Sequence, residues 1–169
     1  MLIEFCNPRD ADQILRLYEY ARALQQERKM VVWPYFDKSF LLKEIAEKRQ
    51  WKLLSNDQIA CNWAITYEDK EIWNEKDNND AIYIHRIATH IDFRGNRFID
   101  TIVKWAKQYA HEKGLQFVRL DTLGNNTRLI QHYTSAGFNF LGIYKLKNTS
   151  TLPSHYQQEP NCCLFELSL

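Results

Sequence analysis

Apolar and polar positions alternate along the chain with two distinct periods, and the changes of period mark the elements. Leu2 to Cys6 reads as a strand, broken by Asn7-Pro8-Arg9-Asp10, where Asn7 or Asp10 can cap the first helix. From Ala11 to about Lys29, Ile14, Leu17, Tyr18, Ala21 and Leu24 recur at helical spacing. Pro34 disfavours helix at Trp33 and separates this helix from a second, about Lys38 to Arg49, with Phe40, Leu41, Ile45 and Ala46 on one face. Trp51 to Leu54 and Ile59 to Tyr67 read as a hairpin around Asn56-Asp57. The polar, acid-rich stretch Glu68 to Asp80 reads as an exposed loop before a strand at Ala81 to Thr89.

The strongest helical pattern runs from about Arg97 to Lys113, and Gly114 ends it. Phe117 to Thr122 is a strand, Thr127 to Ala136 a short helix closed by Gly137, and Phe138 to Lys145 a strand. A polar loop from Lys147 to Pro160 leads to a last strand at Cys162 to Leu167, which is expected at a sheet edge open to exchange between protomers. The expected order is β-α-α-β-β-β-α-β-α-β-β. Hairpins alternating with helical crossovers imply an α/β fold with a mixed central sheet flanked by helices. A length of 169 residues with no internal repeat or linker fits one domain, 1–169.

Composition narrows the function. A formal net charge of +1, with no basic stripe, argues against nucleic acid or an anionic membrane as partner. No run of apolar residues is long enough for a membrane span, and Met1 to Cys6 lacks the features of a signal peptide. Cys6, Cys61, Cys162 and Cys163 lack zinc-type spacing, so they read as reduced packing thiols of a cytoplasmic protein with no bound metal.

Two segments are more specific. Ile84-His85-Arg86-Ile87-Ala88-Thr89-His90-Ile91-Asp92-Phe93-Arg94-Gly95-Asn96 carries an apolar strand into an Arg-Gly loop ahead of the long helix. Asn126, Leu129, Tyr133, Gly137 and Phe138 come after it at fixed spacing. Together, over about residues 82 to 142, they resemble the GNAT acetyltransferases: an R-G-x-G-x-G/A-type loop and an N-x-x-A-x-x-x-Y-x-x-x-G-F segment. The departures are Arg97 and Ile99, which stand where the family has glycines.

The resemblance implies acetyl transfer from acetyl-CoA to a primary amine by direct attack in a ternary complex. Arg94, Gly95, Asn96, Arg97, Phe98 and Ile99 would cradle the pyrophosphate with backbone N–H groups at a helix N-terminus. Ile87, Ala88 and Thr89 would offer strand backbone to the pantetheine, with Asn126 and Leu129 nearby. Tyr133 matches the tyrosine that protonates the leaving thiolate in many members, and packing of the short helix is its alternative role.

His85 is the first choice for general base, since an ordinary imidazole titrates near ~6.5; an interior hydrogen-bonded histidine is the alternative. Glu68, Glu71 and Glu75 are other candidates. Strand alternation puts Tyr83, His85 and Ile87 on one face and Arg86 on the other, where it is expected to meet a carboxylate such as Asp121. Trp33 and Tyr35 are candidates for an acceptor wall, with Glu68 as a polar contact. The acceptor is a small-molecule or peptide amine, and the chain a monomer or homodimer. The competing reading is a non-catalytic module of the same fold that binds acyl-CoA or another anion.

Overall fold

The computed structural model describes all residues, Met1 to Leu169. Strands β1 (Leu2–Phe5), β2 (Gln50–Ser55), β3 (Gln58–Thr66), β4 (Ala81–Thr89), β5 (Phe117–Leu123), β6 (Asn139–Lys145) and β7 (Asn161–Ser168) form one seven-stranded sheet in the order β1-β2-β3-β4-β5-β7-β6. Helices α1 (Ala11–Glu27), α2 (Lys38–Ala46), α3 (Lys70–Trp73), α4 (Phe98–Glu112), α5 (Thr127–Ser135) and α6 (Ser154–Gln158) lie between them in sequence. The expected order of strands and long helices is present. The short helices α3 and α6 are additions, in stretches that polarity alone marks as loops. The sheet is mixed: β4 runs parallel to β5, whereas β1-β2, β2-β3, β5-β7 and β6-β7 are antiparallel. The chain divides into two compact units, residues 1–65 with 85–96, and residues 66–84 with 97–169.

In the first unit, Asn56 and Asp57 both take positive φ, 51° and 61°. This is the backbone that a tight two-residue hairpin turn requires, and the turn pairs Ser55 with Gln58. The β3 run from Ile59 to Ile65 is buried throughout, as expected of an interior strand covered on both faces. Helix α1 buries Ala11, Ile14, Leu17 and Tyr18, one face at helical spacing. They pack with Leu41 and Ile45 of α2, and with Ile59 and Ala88. Each such aliphatic side chain contributes roughly 1.5–3 kcal/mol on burial. Asn7 caps the entry turn before α1: its Oδ1 accepts from the Arg9 N–H, and Asp10 accepts from the Asn7 N–H.

Helix α2 differs from expectation on one face. Phe40 and Ala46 are exposed, and Glu44 is buried beside Leu41 and Ile45. The spacing 41, 44, 45 is a true helical face, and a carboxylate occupies part of it.

In the second unit, α4 buries Phe98, Ile99, Ile102, Val103, Ala106 and Ala110 and packs on β5. The stretch 68–80, expected to be exposed, instead buries Ile72, Trp73 and Asp77. Ile72 and Trp73 join Ala81, Tyr83, Cys162 and Leu164 in a core cluster, so apolar burial overrides the polarity of the surrounding sequence. A second correction concerns β7. It lies between β5 and β6, paired on both sides from Asn161 to Ser168, and is therefore an interior strand rather than an edge. All four cysteines are free and buried.

Candidate active site

The polar centre of the first unit is built around β4. Arg86 sits at φ 52°, in the left-handed region. For a residue with a Cβ this costs about 1–2 kcal/mol. The kink interrupts the pleat: Ala81 to Ile84 are all buried, and then three successive residues, His85, Arg86 and Ile87, are half-buried. Simple alternation of faces along β4 therefore fails at this position.

Arg86 does not pair with Asp121, as strand adjacency suggests. Its Nη2 donates to both oxygens of Glu44 at 2.6 Å. Glu44, only 2% exposed, also accepts from Arg49 Nη1 at 3.1 Å and Gln50 Nε2 at 2.8 Å. Gln50 in turn donates to Tyr18 Oη at 3.1 Å and accepts from Asn62 Nδ2 at 2.8 Å. The rings of Phe36 and Phe40 each lie 5.4 Å from the Arg86 guanidinium carbon.

Desolvation, and then the positive charges of Arg86 and Arg49, push His85 down to about 3. The imidazole is thus neutral at physiological pH, but it lacks the basicity expected of an ordinary histidine. Trp33 is half-buried, edge-on to Tyr18 at 6.0 Å between ring centroids, and belongs with the first unit's core. Tyr35 is 82% exposed and stacks beneath the Arg22 guanidinium at 3.7 Å. Trp33 and Tyr35 thus differ in setting: one is a core margin and the other a surface ring.

Next comes the loop that leads into α4. Arg94 turns its guanidinium onto the Tyr20 carbonyl at 3.0 Å, within the first unit. Gly95 has φ 91°, and a Cβ placed there would meet nothing within 4 Å, so the glycine answers a backbone need and leaves open space above it. In the second unit, Arg97 pairs with Asp100 through Nε at 2.8 Å and reaches the Ser135 carbonyl at 3.5 Å. Phe98 and Ile99 bury their side chains, so only their backbone is available to a ligand. The first N–H groups of a helix have no intrahelical partner. At the start of α4 the Asp100 N–H donates to the Arg97 carbonyl at 3.0 Å.

Also in the second unit, Asn126 caps α5, its Oδ1 accepting from the Leu129 N–H at 3.1 Å. Tyr133, half-buried on α5, packs its ring 5.2 Å from that of Phe165 and 6.1 Å from that of Phe138.

An acidic group that sequence reasoning did not single out as catalytic lies in the same unit. The carboxylates of Asp69 and Asp121 come within 4.8 Å of each other. Asp121 Oδ2 accepts from Tyr156 Oη at 3.1 Å, and Cys162 Sγ lies 4.0 Å away. Both carboxyls are held above the ordinary range: burial is the main cause for each, and for Asp69 the charges of Asp121, Asp77 and Glu71 add to it. Glu68, Asp69, Lys70 and Glu71 line a cavity of about 320 Å³. Glu71 accepts a hydrogen bond from Thr151, and the Asp69 N–H donates to Asp77 at 2.7 Å. The sequence signals were Asp121 itself, an acid within strand β5, and the acid-rich stretch from Glu68 to Asp80 to which Asp69 belongs.

The family model "Acetyltransferase (GNAT) family" matches residues 31–138, more than half of the chain. The chain belongs to the GNAT acetyltransferase family. An uncharacterized N-acetyltransferase of Bacillus subtilis (strain 168), YesJ, is 27% identical over 74 residues, 44% of this chain and 41% of that protein; the match thus spans less than half of its length. The GNAT-family acetyltransferase structure from Listeria monocytogenes 4b F2365 superposes with a TM-score of 0.78 at 22% identity, covering 99% of this chain and 94% of that one. The structure of yncA, a putative acetyltransferase from Salmonella typhimurium with its cofactor acetyl-CoA, gives 0.70 at 12% identity, covering 99% and 93%. These likenesses bear out the GNAT fold. No helix is long and apolar enough to cross a membrane.

Proposed function

We propose that the chain transfers an acetyl group from acetyl-CoA to a primary amine within a ternary complex. The observation that carries this reading is the loop from Arg94 to Ile99. Although arginine and isoleucine replace two family glycines, Arg97 is tied to Asp100 and Ile99 is buried, which leaves the helix N-terminal backbone for the pyrophosphate. The yncA structure carries acetyl-CoA on the same fold, which supports the same donor here. The backbone of Ile87, Ala88 and Thr89 is proposed for the pantetheine; Asn126 and Leu129 are proposed as further cofactor-binding residues.

In the reaction, the amine nitrogen attacks the thioester carbonyl carbon, an N–C bond forms and the C–S bond breaks. The amine gives up a proton, and the departing thiolate takes one. An amine with an ordinary value near ~10.4 must be deprotonated to attack. His85, depressed to about 3, is a weak acceptor for that proton. Asp69 and Asp121, both held above the ordinary carboxylate range, suit a base working near neutrality better. His85 then acts as a neutral hydrogen-bonding group. Tyr133 is proposed as the donor to the thiolate; tyrosine stays protonated to near ~10.

The acidic cavity at Glu68 to Glu71 favours a cationic acceptor, small molecule or peptide, through complementary charge. A cytoplasmic enzyme acting as a single domain, monomeric or dimeric, is part of the same proposal.

Calorimetric titration with acetyl-CoA, and with CoA in parallel, tests the donor. Saturable binding at one site per chain is expected, followed by amine-dependent thiol release. Absence of binding to either ligand at millimolar concentration would overturn the donor assignment. Binding without turnover on any amine would favour the competing reading of a non-catalytic acyl-CoA module.

A further inference from the structure

Glu44 is a charged side chain on a core-facing helix surface, and ion pairs in such places add little net stability compared with apolar packing. Its position has another explanation. It holds the one residue of β4 whose backbone is left-handed, Arg86. Arginine has no local means of favouring that conformation, unlike glycine or asparagine. The conformation is instead imposed through the side chain. Both Glu44 oxygens receive Arg86 Nη2, and Phe36 and Phe40 flank the guanidinium at equal distance. Glu44 is itself fixed by Arg49 and Gln50, and Gln50 by Tyr18 and Asn62, so α1, α2, β2 and β3 all contribute to the hold.

We propose that Glu44 is a positioning residue for acyl transfer: through its ion pair with Arg86 it sets the kink of β4, and so the direction in which the backbone of residues 85–88 faces the donor. The proposal rests on the acetyl-transfer reading above. It assigns a function to a helix, α2, that carries no residue of the reaction itself. A reacting geometry displaced by as little as about 1 Å loses rate by up to ~100-fold, so a device that fixes backbone direction has a kinetic consequence.

The test compares Glu44→Gln, Arg86→Ala, Arg86→Gly and the double variant Glu44→Gln/Arg86→Gly. Glycine takes positive φ without help, and alanine does not. Glu44→Gln and Arg86→Ala are expected to lower kcat by about 10- to 100-fold and to weaken acetyl-CoA binding with it. Arg86→Gly is expected to retain clearly more turnover than Arg86→Ala, and adding Glu44→Gln to Arg86→Gly should cost nothing further. Equal kcat for the alanine and glycine variants, or additive losses in the double variant, overturns the proposal. So does a folded Glu44→Gln protein with unchanged kcat.

If Glu44→Gln fails to fold, the alanine–glycine comparison decides, because it leaves Glu44 with Arg49 and Gln50. If the unaltered protein turns over no amine, the transfer reading has failed on its own account. Amide hydrogen exchange at residues 85–88 then decides the positioning: faster exchange in Arg86→Ala than in Arg86→Gly supports it, and equal exchange overturns it.

Discussion

Arg97 and Asp100 form a two-point ion pair across one turn at the start of α4, Nε to Oδ2 at 2.8 Å and Nη2 to Oδ1 at 3.1 Å. The pair cancels two opposing effects on a phosphate at this helix end. Asp100 alone would repel it, and Arg97 alone would attract it.

Asp100→Asn is therefore expected to tighten acetyl-CoA binding several-fold and to steepen its weakening by salt, because it frees the Arg97 charge. Arg97→Ala is expected to do the reverse. Calorimetry at two ionic strengths checks both. Equal affinities in all three proteins would show that the phosphates do not sit at this turn.

Tyr133→Phe keeps the ring contacts with Phe138 and Phe165 and removes only the hydroxyl. A general acid of this kind is worth on the order of 100-fold or more in rate. The variant is expected to bind acetyl-CoA normally and to lose at least that factor in kcat. Undiminished turnover across the pH range would remove Tyr133 from the chemistry.

His85 makes a prediction about acid. Its folded value lies near 3, below an ordinary value of 6.5, so the unfolded chain takes up a proton first as pH falls. The stability that His85 supports is complete above pH 6.5 and is lost as pH drops from there toward 3. His85→Gln is expected to flatten the fall in melting temperature over that window. The same variant should leave the acid limb of the kcat/KM profile where it stands; a limb that moves with this substitution would restore His85 as the base.

Asp69 and Asp121 carry the opposite sign. Their folded values are raised above the ordinary carboxylate value of 3.8, so the native state holds protons that the unfolded state has released. The pair costs least stability at pH below 3.8 and progressively more as pH rises through the raised values. Asp121→Asn is expected to raise the melting temperature at pH 8 more than at pH 5, and to cut turnover steeply if the carboxylate is the base. A gain in stability with full activity would confine Asp121 to a structural role.

The sheet, the long helices and the α4 loop were legible in the pattern because each depends on local periodicity, caps and glycines. The Asn56-Asp57 turn, the Asn126 cap and the open Gly95 loop all lie where residue chemistry places them. The polar centres were not legible. Glu44 meets Arg86 across 42 residues, and Asp121 meets Tyr156 across 35. No periodicity encodes such distances. The left-handed Arg86 was invisible for a related reason: arginine has no preference for that backbone, and a tertiary ion pair holds it there. The misread stretch 68–80 shows the converse, with Ile72 and Trp73 finding a core among residues too polar to announce one.

The interior place of β7 also orders events in time. Strands β5 and β6 are both translated before it, yet neither has the other as a neighbour, and β7 is the piece that joins them. During synthesis, β6 has no strand partner until residues 161–168 are available. A chain released before residue 161 would leave β6 without its mate, a state in which chaperone capture competes with self-association.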